Sequence, residues 1–108
     1  MNAKTKLTHN LAIEGCTWDF YRIELFKASD DYRELLTYLR YNRIDFVEDI
    51  NFGGSIIIFK IPRIGSKTLR DDIFTLFGDF PYFAMEGNVT LSESALYKCY
   101  RQILGEEL

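Results

Sequence analysis

Histidine is almost missing from this chain: there is one, His9, in a polar stretch without pattern near the N-terminus. Nucleophilic catalysis of the Ser-His-Asp or Cys-His kind needs an imidazole held beside its nucleophile, so no catalytic centre, and no enzyme, is expected. Cysteine is nearly as scarce. Cys16 and Cys99 form no CxxC and no Cys/His cluster, which argues against zinc and suggests reduced thiols in a cytoplasmic protein. The apolar stretch around 56–61 is far shorter than the roughly 20 residues of a membrane span, and Lys4 and Lys6 are not followed by the apolar run of a signal peptide. No GxxxxGK[ST] occurs; "GSKT" at 65–68 has only the tail of that motif. Carboxylates do not cluster: Asp45 and Asp49 share a strand face, while Asp71 and Asp72 point to different sides of a helix. No metal and no cofactor are expected. Charge is not lopsided either. A net charge of −3 and a pI near 5.1 argue mildly against a non-specific nucleic-acid binder.

Aromatic residues, by contrast, are plentiful: 16% of 108 residues, with nine Phe and seven Tyr. A core of this size does not easily hide them all, so some are expected at a binding surface. Residues 1–12 read as a flexible N-terminal arm and 13–108 as a single α+β domain. "WDFYRIELF" (18–26) alternates, with Tyr21, Ile23 and Leu25 on one face and Phe20, Arg22 and Glu24 on the other, as a strand does. Ser29 is a good N-cap for a helix carrying Tyr32, Leu35, Leu36 and Leu39 on one stripe and ending near Asn42. "IDFVEDI" (44–50) and "SIIIFKI" (55–61) read as a hairpin around "NFGG". A helix follows through Leu69, Ile73, Leu76 and Phe77 to Gly78, with Thr68 and Asp71 spaced as a capping box. "PYFAME" (81–86) reads as a fourth strand and "GN" as a turn. Last comes a helix opened by Thr90 and Glu93, with Leu96, Cys99, Tyr100 and Ile103 on one face.

The order βαββαβ predicts a ferredoxin-like antiparallel sheet with two helices on one face, plus an extra C-terminal helix. Walking that topology end to end collects Arg40, Arg43, Arg63, Lys67 and Arg70 at one end and Asp30, Asp31, Glu48 and Asp49 at the other. It also leaves Phe20, Ile56 and Ile58 on a second sheet face, to be covered by the last helix, a second copy or a partner. Trp18, Phe20, Tyr38, Tyr41, Tyr97 and Tyr100 are candidate partner-binding anchors, tyrosine offering large area with few rotors.

The expected function is a small, non-enzymatic inhibitor or adaptor that occludes a partner protein, possessing the character of an immunity protein or a phage anti-defence protein such as an anti-CRISPR. A nuclease or another nucleic-acid-handling enzyme is the partner class considered. One alternative is a nucleic-acid or phosphate-binding module using the basic end; another is a homodimeric small-molecule sensor using the open sheet face. No membrane role is expected.

Overall fold

The computed structural model describes residues 16–51 and 54–105. The proposed arm, with His9, and residues 13–15 lie outside the described residues, as does the tip of the hairpin at 52–53. Seven elements follow in order: β1 (Trp18–Phe26), α1 (Asp30–Tyr41), β2 (Asp45–Asn51), β3 (Gly54–Pro62), α2 (Lys67–Phe77), β4 (Ala84–Val89) and α3 (Ala95–Leu104). The fold is α+β: a four-stranded antiparallel sheet of order β2-β3-β1-β4 with three helices.

Alternation along β1 and β3 sends two different sets of side chains to the two faces. Tyr21 and Ile23 lie opposite Phe59 and Ile57 in the register. With Ile61 they meet Leu35, Leu36 and Leu39 of α1 and Ile73 and Phe77 of α2, forming the main core. On the other face Val47 and Ile58 pack with Tyr100 of α3, flanked by Leu96, Tyr97 and Ile103. The second face is therefore covered by the chain's own last helix. Phe20 is buried beneath it, its ring centroid 5.7 Å from that of Tyr97.

Each helix end has its own physical cause. Ser29 accepts a hydrogen bond from the Tyr32 amide and closes the start of α1. The end of α1 is a Schellman turn: the Ile44 amide reaches Leu39 O (2.9 Å) and the Arg43 amide reaches Arg40 O (3.1 Å). That turn puts Arg43 at φ 56°, where glycine is the usual occupant. At the end of α3 the same need is met by Gly105, at φ 89°.

Four local expectations need correction. The N-cap of α2 is Ser66, whose side chain makes no capping bond; Thr68 and Asp71 sit exposed inside the helix, so the capping box there is not formed. The cap of helix α3 lies four residues later than expected, at Ser94, while Thr90 and Glu93 make a separate turn before it. The fourth strand is Ala84–Val89 rather than 81–86, and "GN" lies within it. Trp18 pairs with Val89 and Phe20 with Glu86, so Gly87 and Asn88 together stand opposite Asp19 as a bulge. Finally, Leu76 and Cys99 are exposed rather than on the packed stripes.

Candidate functional site: two charged ends

Let the lower end be the one where β1 begins. Helix α1 ends there, β3 ends there, and α2 starts there. The upper end holds the start of α1, the hairpin and the start of β4.

At the lower end the arrangement is dominated by Asp19, which the sequence-based search did not single out. It is 0% exposed. Its Oδ1 accepts from Arg63 Nη1 at 3.0 Å and from the Asn88 amide at 2.9 Å; its Oδ2 lies 3.3 Å from the same Nη1 and 3.6 Å from Arg70 Nε. Arg70 also donates from Nη1 to Arg63 O at 2.9 Å, which ties the two arginines together. A buried carboxylate has to be paired, and these bonds are what hold two cations near the start of α2 against its dipole. The expected basic end is corrected accordingly: Arg63 and Arg70 are spent on Asp19. Arg40 stacks over the Phe46 ring (6.0 Å to the centroid). Arg43 and Lys67 are exposed. A readable signal did exist. Asp19 falls on the Tyr21/Ile23 side of an alternating strand, and a charge on the core-facing register demands a partner.

Next to this cluster the Tyr21 hydroxyl is buried with no hydrogen-bond partner, and burial, then the Asp19 charge, raises its pKa. On the other sheet face Lys60 is buried between the rings of Trp18 (4.7 Å) and Tyr100 (5.3 Å) and faces Asp45 at 3.4 Å. Asp45 is thus an ion-pair partner rather than half of a carboxylate pair with Asp49. Among the described residues no group of His, Cys, Asp and Glu is placed to hold a metal ion, and no helix is long and apolar enough to cross a membrane. Cys16 is half-buried, Cys99 is exposed, and both are free.

Half of the six expected anchors are inside the molecule. Trp18, Phe20 and Tyr100 are buried, which removes them as surface anchors and corrects that assignment. Tyr97 is half-buried against Phe20 and Tyr100. Tyr38 is half-buried edge-on to Phe77, and burial followed by the charge of Asp72 raises its pKa. Tyr41 alone of the six is open, 85% exposed.

The upper end differs. Glu48 is engaged: the hydroxyls of Tyr32 and Ser55 both donate to its Oε2, and burial together with this bond pushes the Tyr32 pKa up to about 12. Asp30 is paired with Arg33. Asp31 and Asp49 are exposed and make no ion pair among the described residues. They line a groove of about 650 Å³ with Glu24, which also meets Arg22 at 3.4 Å. Apolar walls come from Leu25, Ile56 and Pro81, and two aromatic residues on the rim, Phe26 and Tyr82, are 76% and 73% exposed. Sequence reasoning placed the acids at this end but missed Phe26 and Tyr82. Both belong to segments read as strand, and Tyr82 in fact sits at φ 62° in the turn before β4.

One further site feature is structural. Glu86 of β4 sits on the N-terminus of α3: its carboxylate accepts from Ser94 Oγ (2.7 Å) and from the amides of Leu96 (2.7 Å) and Ala95 (3.1 Å). Burial alone would raise its pKa, but the three bonds outweigh that and hold it below the ordinary carboxylate value.

Comparison with family models, with curated proteins and with solved structures gives no match to this chain.

Proposed function

We propose that this chain is a small, non-enzymatic protein-binding inhibitor or adaptor that occludes a basic surface of its partner with its upper end. The observation that carries the proposal is the groove between Asp31 and Asp49: an apolar wall, two largely exposed rings and, in Asp31 and Asp49, two carboxylates with no ion-pair partner among the described residues. Exposed aromatic side chains beside a concave apolar surface are the usual makings of a hot spot. Carboxylates around them steer a cationic partner and repel an anionic one. A nuclease or other nucleic-acid-handling enzyme suits this best, because proteins that hold a phosphate backbone present clustered Lys and Arg. The chain would then act as an immunity protein or an anti-defence protein such as an anti-CRISPR does, by steric block.

The finer reading of the architecture, a ferredoxin-like βαββαβ with an added C-terminal helix, is supported by the order β2-β3-β1-β4, by antiparallel pairing throughout, and by α1 and α2 sharing one face. A nucleic-acid module at the basic end has less support, since Arg63 and Arg70 are bound to Asp19. A dimeric sensor on the open sheet face has less as well, since α3 covers it.

The test is affinity purification at low salt with the wild-type chain and with Phe26→Ala/Tyr82→Ala as bait. A stoichiometric protein recovered only by the wild type, and inhibited by it, is the expected result. Recovery of no such protein, or equal recovery by both baits, overturns the proposal.

A further inference from the structure

We infer that the occupant of the upper groove is an arginine side chain presented by the partner, an inference that rests on the protein-binding reading above and specifies its chemistry. The groove's hydrogen-bonding inventory points there. Its side-chain donors are already committed: Ser29 Oγ donates to Phe26 O at 2.7 Å and caps α1, and Ser55 Oγ donates to Glu48 at 2.8 Å. Apart from the Tyr82 hydroxyl, the lining side chains offer only acceptors: the carboxylates of Asp31, Asp49 and Glu24. Among the described residues no Lys or Arg lines it. A ligand that brings its own acceptors, such as a phosphate, a carboxylate or a nucleic-acid backbone, would meet three carboxylates and, among the described side chains, only the Tyr82 hydroxyl as an uncommitted donor.

A guanidinium has the opposite inventory: five N–H donors, no acceptor, and a permanent positive charge. Its flat, weakly hydrated faces also suit the rings of Phe26 and Tyr82 and the apolar wall of Ile56 and Leu25 better than a lysine ammonium would. Among the described cations at this end none satisfies the site: Lys27, exposed between Phe26 and Ser29, neither lines the groove nor pairs with Asp31 or Asp49. Arg33 is held by Asp30. Arg22 pairs with Glu24 from the flank without lining the groove, leaving Asp31 and Asp49 for the incoming group.

The probe is acetylated tetra-arginine amide, titrated into the isotopically labelled full chain at low salt and followed by amide shifts. Tetra-lysine and tetra-glutamate of the same length serve as controls, and Asp31→Asn/Asp49→Asn as the variant. The expected outcome is saturable shifts centred on Phe26, Asp31, Asp49 and Tyr82, with tetra-lysine weaker and tetra-glutamate silent. The double variant should bind about tenfold more weakly, as loss of roughly one charge-assisted contact implies. Shifts elsewhere, an affinity the variant leaves unchanged, or equal binding of tetra-lysine and tetra-arginine overturn the assignment. So does a homodimer in light scattering that the variant dissolves, or a cross-link from Lys4 or Lys6 to Asp31 or Asp49 of the same chain, because each names a different occupant. Failures of the two proposals separate cleanly. If the double variant still captures the stoichiometric partner, protein binding stands and the arginine falls. If the peptide fills the groove but no partner is captured, the arginine stands and the inhibitor reading falls.

Discussion

The two ends of this molecule treat their charges in opposite ways. At the lower end a buried carboxylate gathers Arg63 and Arg70 into the packing beneath the start of α2. At the upper end Asp31 and Asp49 face an open groove and answer to nothing among the described residues. The lower cluster belongs to the packing, and the upper one is where the proposed recognition would take place. Charge density by itself would have favoured the lower end, with its five cations. What separates the ends is the buried Asp19, which takes up Arg63 and Arg70 and leaves Arg43 and Lys67 exposed with no ion-pair partner among the described residues.

Removing Asp19 should break that contrast most forcefully. Asp19→Ala leaves two guanidinium groups and the Asn88 amide without their acceptor, in a site where Arg70 is mostly buried and Arg63 partly so. Losing one member of a buried ion pair costs about 3–5 kcal/mol, and the partial exposure of Arg63 places the expected loss near the lower bound. Urea unfolding measures it. A loss under about 1 kcal/mol, the size of a surface pair, would mean that the lower cations are not committed and would restore the basic end as a binding candidate.

The next largest effect is expected at Glu86, where a carboxylate from the sheet replaces the local acid that α3 lacks in its first turn. Glu86→Ala should cost about 1–2 kcal/mol, the range of a lost helix cap. Because the folded-state pKa of Glu86 lies below its ordinary 4.5, its contribution is complete above that value and is lost as the pH falls through the lower folded-state value. Stability measured down a pH series should therefore drop below about pH 4.5 by less in Glu86→Gln than in the wild type. Parallel pH profiles would show that the clamp does not use the charge.

Much of this was legible along the chain, and the gaps have a common cause. The first three strands, the Ser29 cap, the α1 stripe and the Gly78 stop follow from periodicity and local hydrogen bonding, which act over a few residues. Asp19 with Arg63 spans 44 residues, and the Glu86 clamp reaches α3 only because β4 ends beneath it. The S/T-x-x-D/E spacing pointed to Thr68 and Thr90 as caps, but Thr68 lies inside α2, Thr90 lies in a turn before α3, and Ser66 and Ser94 occupy the cap positions. Trp18, Phe20 and Tyr100 looked like surplus aromatics until α3 folded back over the sheet. The "GN" pair reads as a turn, yet it lies within β4 as a bulge around a buried carboxylate.

Arg43 sharpens the comparison in the other direction, as a lower-end cation whose cost is in its backbone. At φ 56° in the Schellman turn it forgoes the freedom that glycine has there. Arg43→Gly should stabilise the fold by about 0.5–1 kcal/mol, the size of the left-handed penalty less the entropy glycine loses on folding. A rise in Tm checks this; a fall would mean that the guanidinium contributes more than its backbone costs, and the lower end would regain a functional cation.

The smallest stability effect is expected where the proposed function is concentrated. Asp31 and Asp49 are exposed and unpaired among the described residues, so neutralising both should move unfolding by no more than about 0.5 kcal/mol, as ordinary surface positions do. Asp31 needs a separate check, because it lies in the first turn of α1 and an acid there favours the helix dipole. Asp31→Asn alone should therefore account for whatever small loss the pair shows, with Asp49→Asn silent in urea unfolding. If instead Asp49→Asn were strongly destabilising, its carboxylate would be meeting a counter-charge within the chain, and the upper end would be structural in the same sense as the lower. A silent Asp49 that nevertheless weakens tetra-arginine binding separates recognition from stability at a single residue, which the Asp19 cluster cannot do.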